Sequence, residues 1–179
     1  MKPTTSVSKF LSLVLRHRPE IAGIHLDDEG WVSVEELIAG CVRCGMPLDA
    51  DALQDLVRTN DKQRFALSDD GSRIRASQGH TVKVSLGYEP VEPPEVLFHG
   101  TVSRFLDSIR AEGLLRGQRH HVHLSETRET AVKVGSRRGR PVVLTVRAGE
   151  MHGAGFVFFR SDNGVWLTDH VPARFVVEL

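Results

Sequence analysis

The sequence predicts an α+β protein in two lobes, and three observations predict it. Three helical patterns and a hairpin pattern fill the first half, a proline-rich stretch follows, and short strand-like runs dominate the rest. With 179 residues and 40% hydrophobic content, the chain can bury one generous core or two small ones.

Taken in order, Phe10, Leu11, Val14 and Leu15 recur at helical spacing behind Ser8, which suits an N-cap, and Pro19 ends the segment. Arg16 and His17 then fall in the last turn, where exposed carbonyls favour cations. Ser33-Val34-Glu35-Glu36 matches a capping box ahead of Leu37 and Ile38, and Asp49 to Val57 offers a third amphipathic helix through Leu53, Leu56 and Val57. Arg64-Phe65-Ala66-Leu67 and Arg73-Ile74-Arg75-Ala76 flank an Asp70-Gly71 turn, a hairpin signal. Three helices followed by a hairpin describe a winged-helix lobe over residues 1–90.

Gly87 to Glu95 carries Pro90, Pro93 and Pro94, which resist both helix and sheet and read as a stiff connector. Beyond it the second lobe, residues 91–179, alternates short strands with helices. The strands are expected at Val96 to Gly100, Val122 to Ser125, Val142 to Val146, Phe156 to Phe159, Val165 to Thr168 and Phe175 to Leu179. The helices are expected at Ser103 to Glu112, stopped by Gly113, and at Thr127 to Val134, stopped by Gly135. Small sheets with short helices follow from that order.

Composition narrows the function. No run of eighteen apolar residues occurs and Met1 to Ser8 lacks the order of a secretion signal, so no membrane contact and a cytoplasmic location are expected. The formal net charge is zero, which disfavours a broad duplex-binding footprint. Yet between Arg104 and Arg140 nine Lys or Arg face four acids, an excess suited to one polyanionic ligand. Cys41 and Cys44 form a lone C-x-x-C with no second pair to complete a zinc ribbon, and they read as small residues near a helix end. The histidines His120, His121 and His123 do not form a metal set either, because strand alternation leaves only two of them on one side. No metal is expected.

The common nucleotide and hydrolase signatures are absent: there is no G-x-G-x-x-G, Walker, G-x-S-x-G or H-E-x-x-H sequence. What remains is Phe98-His99-Gly100-Thr101 at a strand end, and His121-Val122-His123-Leu124-Ser125 on a later strand, with 121, 123 and 125 sharing one face.

These segments resemble the ADP-ribosyltransferase superfamily. The whole chain resembles the RNA 2'-phosphotransferases, which remove a splice-junction 2'-phosphate from tRNA. The likeness rests on Leu15-Arg16-His17-Arg18-Pro19-Glu20, Asp28-Glu29-Gly30-Trp31-Val32, Arg64-Phe65, Ile74-Arg75-Ala76-Ser77-Gln78-Gly79-His80, His99-Gly100-Thr101, His121-Val122-His123-Leu124-Ser125 and Ser161-Asp162-Asn163-Gly164-Val165-Trp166-Leu167-Thr168. It implies an ADP-ribosyltransferase-like second lobe and NAD as co-substrate. It also implies a two-step reaction in which the RNA 2'-phosphate attacks C1'' of NAD, expelling nicotinamide, and the ADP-ribose 2''-hydroxyl then attacks that phosphate. The products would be 2'-hydroxyl RNA and ADP-ribose 1'',2''-cyclic phosphate, by way of an ADP-ribosylated RNA. The resemblance maps the catalytic set onto Arg16, His17, Arg64 and Arg119, and the NAD-binding set onto His99, Gly100, Thr101, His123 and Ser125.

The residue types suit the chemistry. Guanidinium groups stay protonated and grip phosphate oxygens bidentately. Arg16, His17 and Arg64 are assigned to holding the phosphate, and Arg119 to stabilising charge in the second displacement. Proton movement from the 2''-hydroxyl is the other role open to His17. Gly100 lacks a Cβ, so a ligand can approach its peptide N–H and C=O. Where many members of the superfamily carry a late-strand glutamate, this chain has Asn163-Gly164-Val165-Trp166, and an anionic phosphate nucleophile needs no carboxylate base. The expected partners are NAD and RNA bearing an internal 2'-phosphate, with the protein a monomer. Two other readings fit the same residues: a winged-helix sensor that binds NAD or ADP-ribose without turnover, and a transferase that stops at ADP-ribosylated nucleic-acid phosphate. The helix from Asp49 to Val57, with three aspartates and no basic residue, speaks against the sensor.

Overall fold

The computed structural model describes residues 3–84 and 86–178. They form a mixed α/β protein in two compact units, residues 1–87 and 88–179. Among the described residues, no helix is long and apolar enough to cross a membrane.

In the first unit the order is α1 (Pro3–Arg16), β1 (Val32–Ser33), α2 (Val34–Arg43), α3 (Ala50–Thr59), β2 (Phe65–Leu67) and β3 (Arg73–Ala76). α1 begins five residues before the expected Ser8 cap, so Ser8 lies inside the helix; Val7 is buried and extends the apolar stripe of Leu11, Val14 and Leu15 by a turn. Pro19 opens a short 3-10 turn, Pro19–Ala22, which closes on Gly23 in the left-handed conformation. The expected Ser33 cap of α2 holds, and Asp49, read as the first residue of the third helix, is its N-cap instead. Ser33 Oγ accepts from Glu36 N at 3.0 Å and Asp49 Oδ1 from Ala52 N at 2.8 Å. The capping box is not reciprocal, because the Glu36 carboxylate accepts instead from the His25 peptide N–H at 3.0 Å.

The expected hairpin is present, with a third strand the sequence did not announce. β2 and β1 both pair antiparallel with the central β3. The turn is built by Asp70, whose carboxylate accepts from Ser72 N, Ser72 Oγ and Ser68 Oγ at 3.0, 2.7 and 2.7 Å, while Gly71 takes φ 72°. Those bonds, the peptide N–H first, hold its pKa down to about 2. The inner face of the sheet, carrying Phe65, Ile74 and Ala76, packs with Leu11, Leu15, Leu37 and Leu53 into one core.

The second unit contains β4 (Leu97–Val102), α4 (Leu106–Glu112), β5 (Leu114–Leu115), β6 (Val122–Leu124), α5 (Arg128–Gly135), β7 (Pro141–Val146), α6 (Ala148–Gly153), β8 (Phe158–Arg160), β9 (Trp166–Thr168), β10 (His170–Val171) and β11 (Val176–Glu178). β7 is central to a sheet ordered β11-β7-β4, β9 is central to a second ordered β6-β9-β8, and β5 pairs with β10. Leu97, Leu124, Leu144, Met151 and Phe158 close the core beneath them.

The expected strands lie within one or two residues of their predicted ends, but α6 and the β5–β10 pair had no sequence signal. Their strands are two residues long, too short to show alternation. The proline stretch is not a free connector. Val91 N donates to Phe158 O at 2.9 Å and Tyr88 rests against Phe159, which draws residues 88–95 into the second unit and sets the division after Gly87. Gly113 stops α4 at φ 78° as expected. Gly135 is the last residue of α5 rather than a cap beyond it: it keeps helical angles, the chain runs on through a 3-10 turn, Ser136–Arg138, and the break falls at Gly139 with φ 139°.

Candidate active site

In the first unit, three residues expected to grip a phosphate come from positions far apart in sequence and are tied to one segment, 77–82. Arg16 ends α1, and its carbonyl accepts from Thr81 N at 2.9 Å and Val82 N at 3.3 Å. That helix end is therefore capped by backbone donors. His17 follows, with Nδ1 3.0 Å from the Thr81 hydroxyl. At the other end of the segment, Ser77 N donates to Arg64 O at 2.9 Å and Ser77 Oγ to Gln63 O at 3.1 Å.

The turn entering β2 is built to fix Arg64. Asn60, just past α3, uses its side-chain carbonyl to accept from Lys62 N at 3.2 Å and from Arg64 N at 3.3 Å. Gln63 takes φ 43°, a left-handed conformation that costs a non-glycine residue roughly 1 kcal/mol. Strain of this kind persists where its surroundings over-determine it. Ser77 and Thr81 were missed as positioning residues, because hydrogen bonds between distant segments leave no local pattern.

In the second unit the set expected to bind NAD lies where two sheets meet. Phe98 on β4 and Ser125, just after β6, exchange both backbone hydrogen bonds, Phe98 N to Ser125 O at 2.8 Å and Ser125 N to Phe98 O at 2.7 Å. β6 pairs with β4 only there, a split between sheets. Because peptide groups alternate along a strand, Gly100 N–H and C=O point to the same side as those of Phe98, beyond the end of that pairing.

Gly100 is needed for a second reason. A Cβ there would overlap the Ala131 carbonyl and stand 2.8 Å from Gly135 N, so α5 lies directly on β4. The room left by the missing Cβ is filled by helix backbone, and only the peptide groups of Gly100 remain for a ligand. Thr101 is buried at 4% exposure, with its carbonyl against the same helix at Gly135.

His99 is half-buried, and its Nδ1 meets the His123 carbonyl at 3.1 Å. A carbonyl only accepts, so Nδ1 carries the proton. Burial pushes the imidazole pKa down, the hydrogen bond to His123 opposes this and the Arg138 charge adds to it. His99 is accordingly neutral with an accepting Nε2. His123 lies opposite the buried Val122 and Leu124, as strand alternation requires, and its Nδ1 is 3.3 Å from Arg119 Nη1. Arg119 sits on the loop after β5, in a turn with Arg119 N donating to Arg116 O at 3.2 Å. Partial desolvation, then the charges of Arg138 and Arg137, push its pKa down.

The structure thus gathers Arg119, His123, His99, Arg137 and Arg138 within electrostatic reach of one another. Arg137 and Arg138 entered the sequence reading only as part of a local charge excess. Nothing in the sequence said that the 3-10 turn following α5 would return them to His99. Such a group attracts an anion, since three guanidiniums repel one another unless a negative charge lies among them. His121, by contrast, packs against Phe159 with ring centroids 5.4 Å apart. Among the described residues, no three His, Cys, Asp or Glu side chains come together as metal ligands.

Comparison with known proteins gives the same direction as the geometry. Residues 2–170 match the family described as RNA 2'-phosphotransferase, Tpt1 / KptA family. The chain belongs to this family. A probable RNA 2'-phosphotransferase of Pseudomonas aeruginosa is 56% identical over 178 residues, covering 99% of this chain and 98% of the relative. Proteins of the same description from Streptomyces griseus and Acaryochloris marina are 55% and 52% identical over 181 and 174 residues, each covering 97% of this chain and 96% of the relative. The match extends across both units.

Proposed function

We propose that this chain is an NAD-dependent RNA 2'-phosphotransferase. The observation that carries the reading is that the backbones of Arg16 and Arg64, a helix end and a distant strand entry, and the His17 side chain are all held by the single segment 77–82. A dianionic phosphate monoester is the ligand such a group suits best. The helix and strand order of the first unit fits a winged-helix lobe, and the divided sheets of the second fit an ADP-ribosyltransferase-like lobe.

In this reading the first group holds the RNA 2'-phosphate, with His17 kept in orientation by Thr81. The second group receives NAD. The fit is favourable on three counts: outward peptide groups at Gly100 for a carboxamide, a neutral His99 for a ribose hydroxyl, and Arg119, Arg137 and Arg138 for phosphate charge. A phosphate oxygen forms a bond to C1'' as the C1''–N bond breaks and nicotinamide leaves. The 2''-oxygen then bonds to phosphorus, the bond to the RNA 2'-oxygen breaks, and the proton of the 2''-hydroxyl ends on the RNA 2'-oxygen. Arg119 stabilises the charge that builds on phosphorus in this second step. No side-chain carboxylate is required, in keeping with the stretch Asn163-Gly164-Val165-Trp166, which carries no glutamate.

The test is to mix the protein with NAD and a short RNA bearing an internal 2'-phosphate, without added metal. Release of nicotinamide together with ADP-ribose 1'',2''-cyclic phosphate is expected. Nicotinamide release that ends at ADP-ribosylated RNA would assign the chain to the first step alone, and no release would overturn the reading.

A further inference from the structure

The outer face of the first unit's sheet carries a basic and aromatic stripe that the catalytic assignment leaves unused. Pairing places Ala66 opposite Arg75 and Ser33 opposite Arg73, while Phe65, Ile74 and Ala76 point into the core. By alternation, Arg73 and Arg75 on β3 and Ala66 on β2 share the outward face, and Arg64 immediately precedes β2. Trp31, one residue before β1, joins them. The Arg75 guanidinium lies over its indole at 4.5 Å from the ring centroid, and that of Arg73 at 5.2 Å.

The indole is presented rigidly. Asp27 Oδ1 accepts from both Glu29 N and Trp31 N at 2.9 Å, Asp27 N donates to Trp31 O at 2.9 Å, and Gly30 turns the chain at φ 84°. A ring held this way loses little freedom when a partner stacks on it. The Asp27 carboxylate, 3.7 Å from Arg73, is shared with two peptide N–H groups. Alternate residues on a strand are about 7 Å apart, within the reach of one nucleotide of extended backbone.

We propose that this face is a docking track for single-stranded RNA flanking the 2'-phosphate. Arg64 marks its catalytic end, Arg75 and Arg73 bind successive backbone phosphates, and one nucleobase stacks at Trp31. The proposal rests on the reading of Arg64 as a phosphate ligand and extends it to the substrate's neighbouring nucleotides. Charge and stacking together are what single strands require, whereas a protein partner would not need the arginines to alternate with a π-face.

The test compares two substrates, a 2'-phosphorylated dinucleotide and a hexaribonucleotide with one internal 2'-phosphate. For Arg73→Gln/Arg75→Gln and for Trp31→Leu, the fall in kcat/KM on the hexamer should exceed that on the dinucleotide about tenfold, expressed in KM. The salt dependence of hexamer binding should lose a slope of about 1.4 in the double glutamine variant, two contacts at about 0.7 each, and Arg73→Lys/Arg75→Lys should restore it. Equal losses on both substrates, or no rescue by lysine, would overturn the track. A separate arm needs no turnover: a fluorescein-labelled hexaribonucleotide without the 2'-phosphate is titrated in the absence of NAD. Weaker binding in these variants supports the track even if the wild-type protein releases no nicotinamide. Unchanged binding, or displacement of the RNA by polyglutamate at equal charge concentration, would sink it while leaving the phosphotransferase reading standing.

Discussion

In the proposed reading, the two units hold an anion in different ways. In the first, Arg16, His17 and Arg64 sit at the ends of regular elements, and a short segment clasps those ends together through Ser77 and Thr81. In the second, the functional side chains lie along strands where two sheets touch at a single bridge, and a helix laid on Gly100 brings Arg137 and Arg138 back toward them. The second arrangement depends on a backbone contact that admits no extra atom.

The contrast can be broken most directly at Arg64. Arg64→Ala should lower turnover about a thousandfold, the scale of losing a charge-assisted donor to a transferring phosphate, with NAD affinity changed little. Isothermal titration with NAD alongside steady-state rates checks this, and a large loss of NAD binding would place Arg64 with the cofactor instead. Arg119→Ala should cost about a hundredfold in product formation while ADP-ribosylated RNA accumulates. Gel analysis with labelled RNA should trap that species. Slow nicotinamide release without it would remove the division of labour between the two groups.

Gly100→Ala sharpens the comparison on the side of stability. The added methyl would force α5 off β4, at a cost of about 3 kcal/mol in the second unit. Thermal unfolding followed by circular dichroism should show a lowered transition, and NAD affinity should fall with it. An unchanged transition would mean that the helix has room to move.

The smallest effect is with pH, and it has the same sign in both units for different groups. His99 has a depressed pKa in the folded chain, so its stabilisation is complete above 6.5 and is lost as pH falls from 6.5 through the lower folded value. His121 adds to this in the same direction, chiefly through desolvation. Asp70 in the first unit acts lower, contributing above 3.8 and losing its contribution as pH falls toward about 2. Two windows in a pH series of unfolding midpoints are expected. His99→Asn, whose amide N–H can still reach the His123 carbonyl, should flatten the upper window alone; an unaltered upper window would leave it to His121.

Local chemistry made much of the first unit legible. Ser33 caps α2 as its sequence context implies, and the Asp70-Gly71 turn joins the strands on either side. The errors there were at ends: α1 starts before Ser8 because Val7 reaches the core, and β1 escaped notice because two residues carry no periodicity. In the second unit the strands were found but their partners were not. Gly135 was read as a helix stop when it is a contact surface for Thr101, since a glycine's signature in sequence is the same in both cases.

What the sequence determined by itself was therefore most of the run of elements, the pairing within the Asp70-Gly71 hairpin, and residue types suited to an anion. Tertiary structure alone decided which carbonyl His99 binds, that Gly100 keeps its peptide groups while yielding its side to α5, and that Arg137 and Arg138 stand near Arg119. The reason is one of range. Capping, alternation and turn chemistry act over a few residues and leave their mark in adjacent letters, whereas a contact between β4 and α5 is settled by the packing of a whole core, which no short stretch of sequence records.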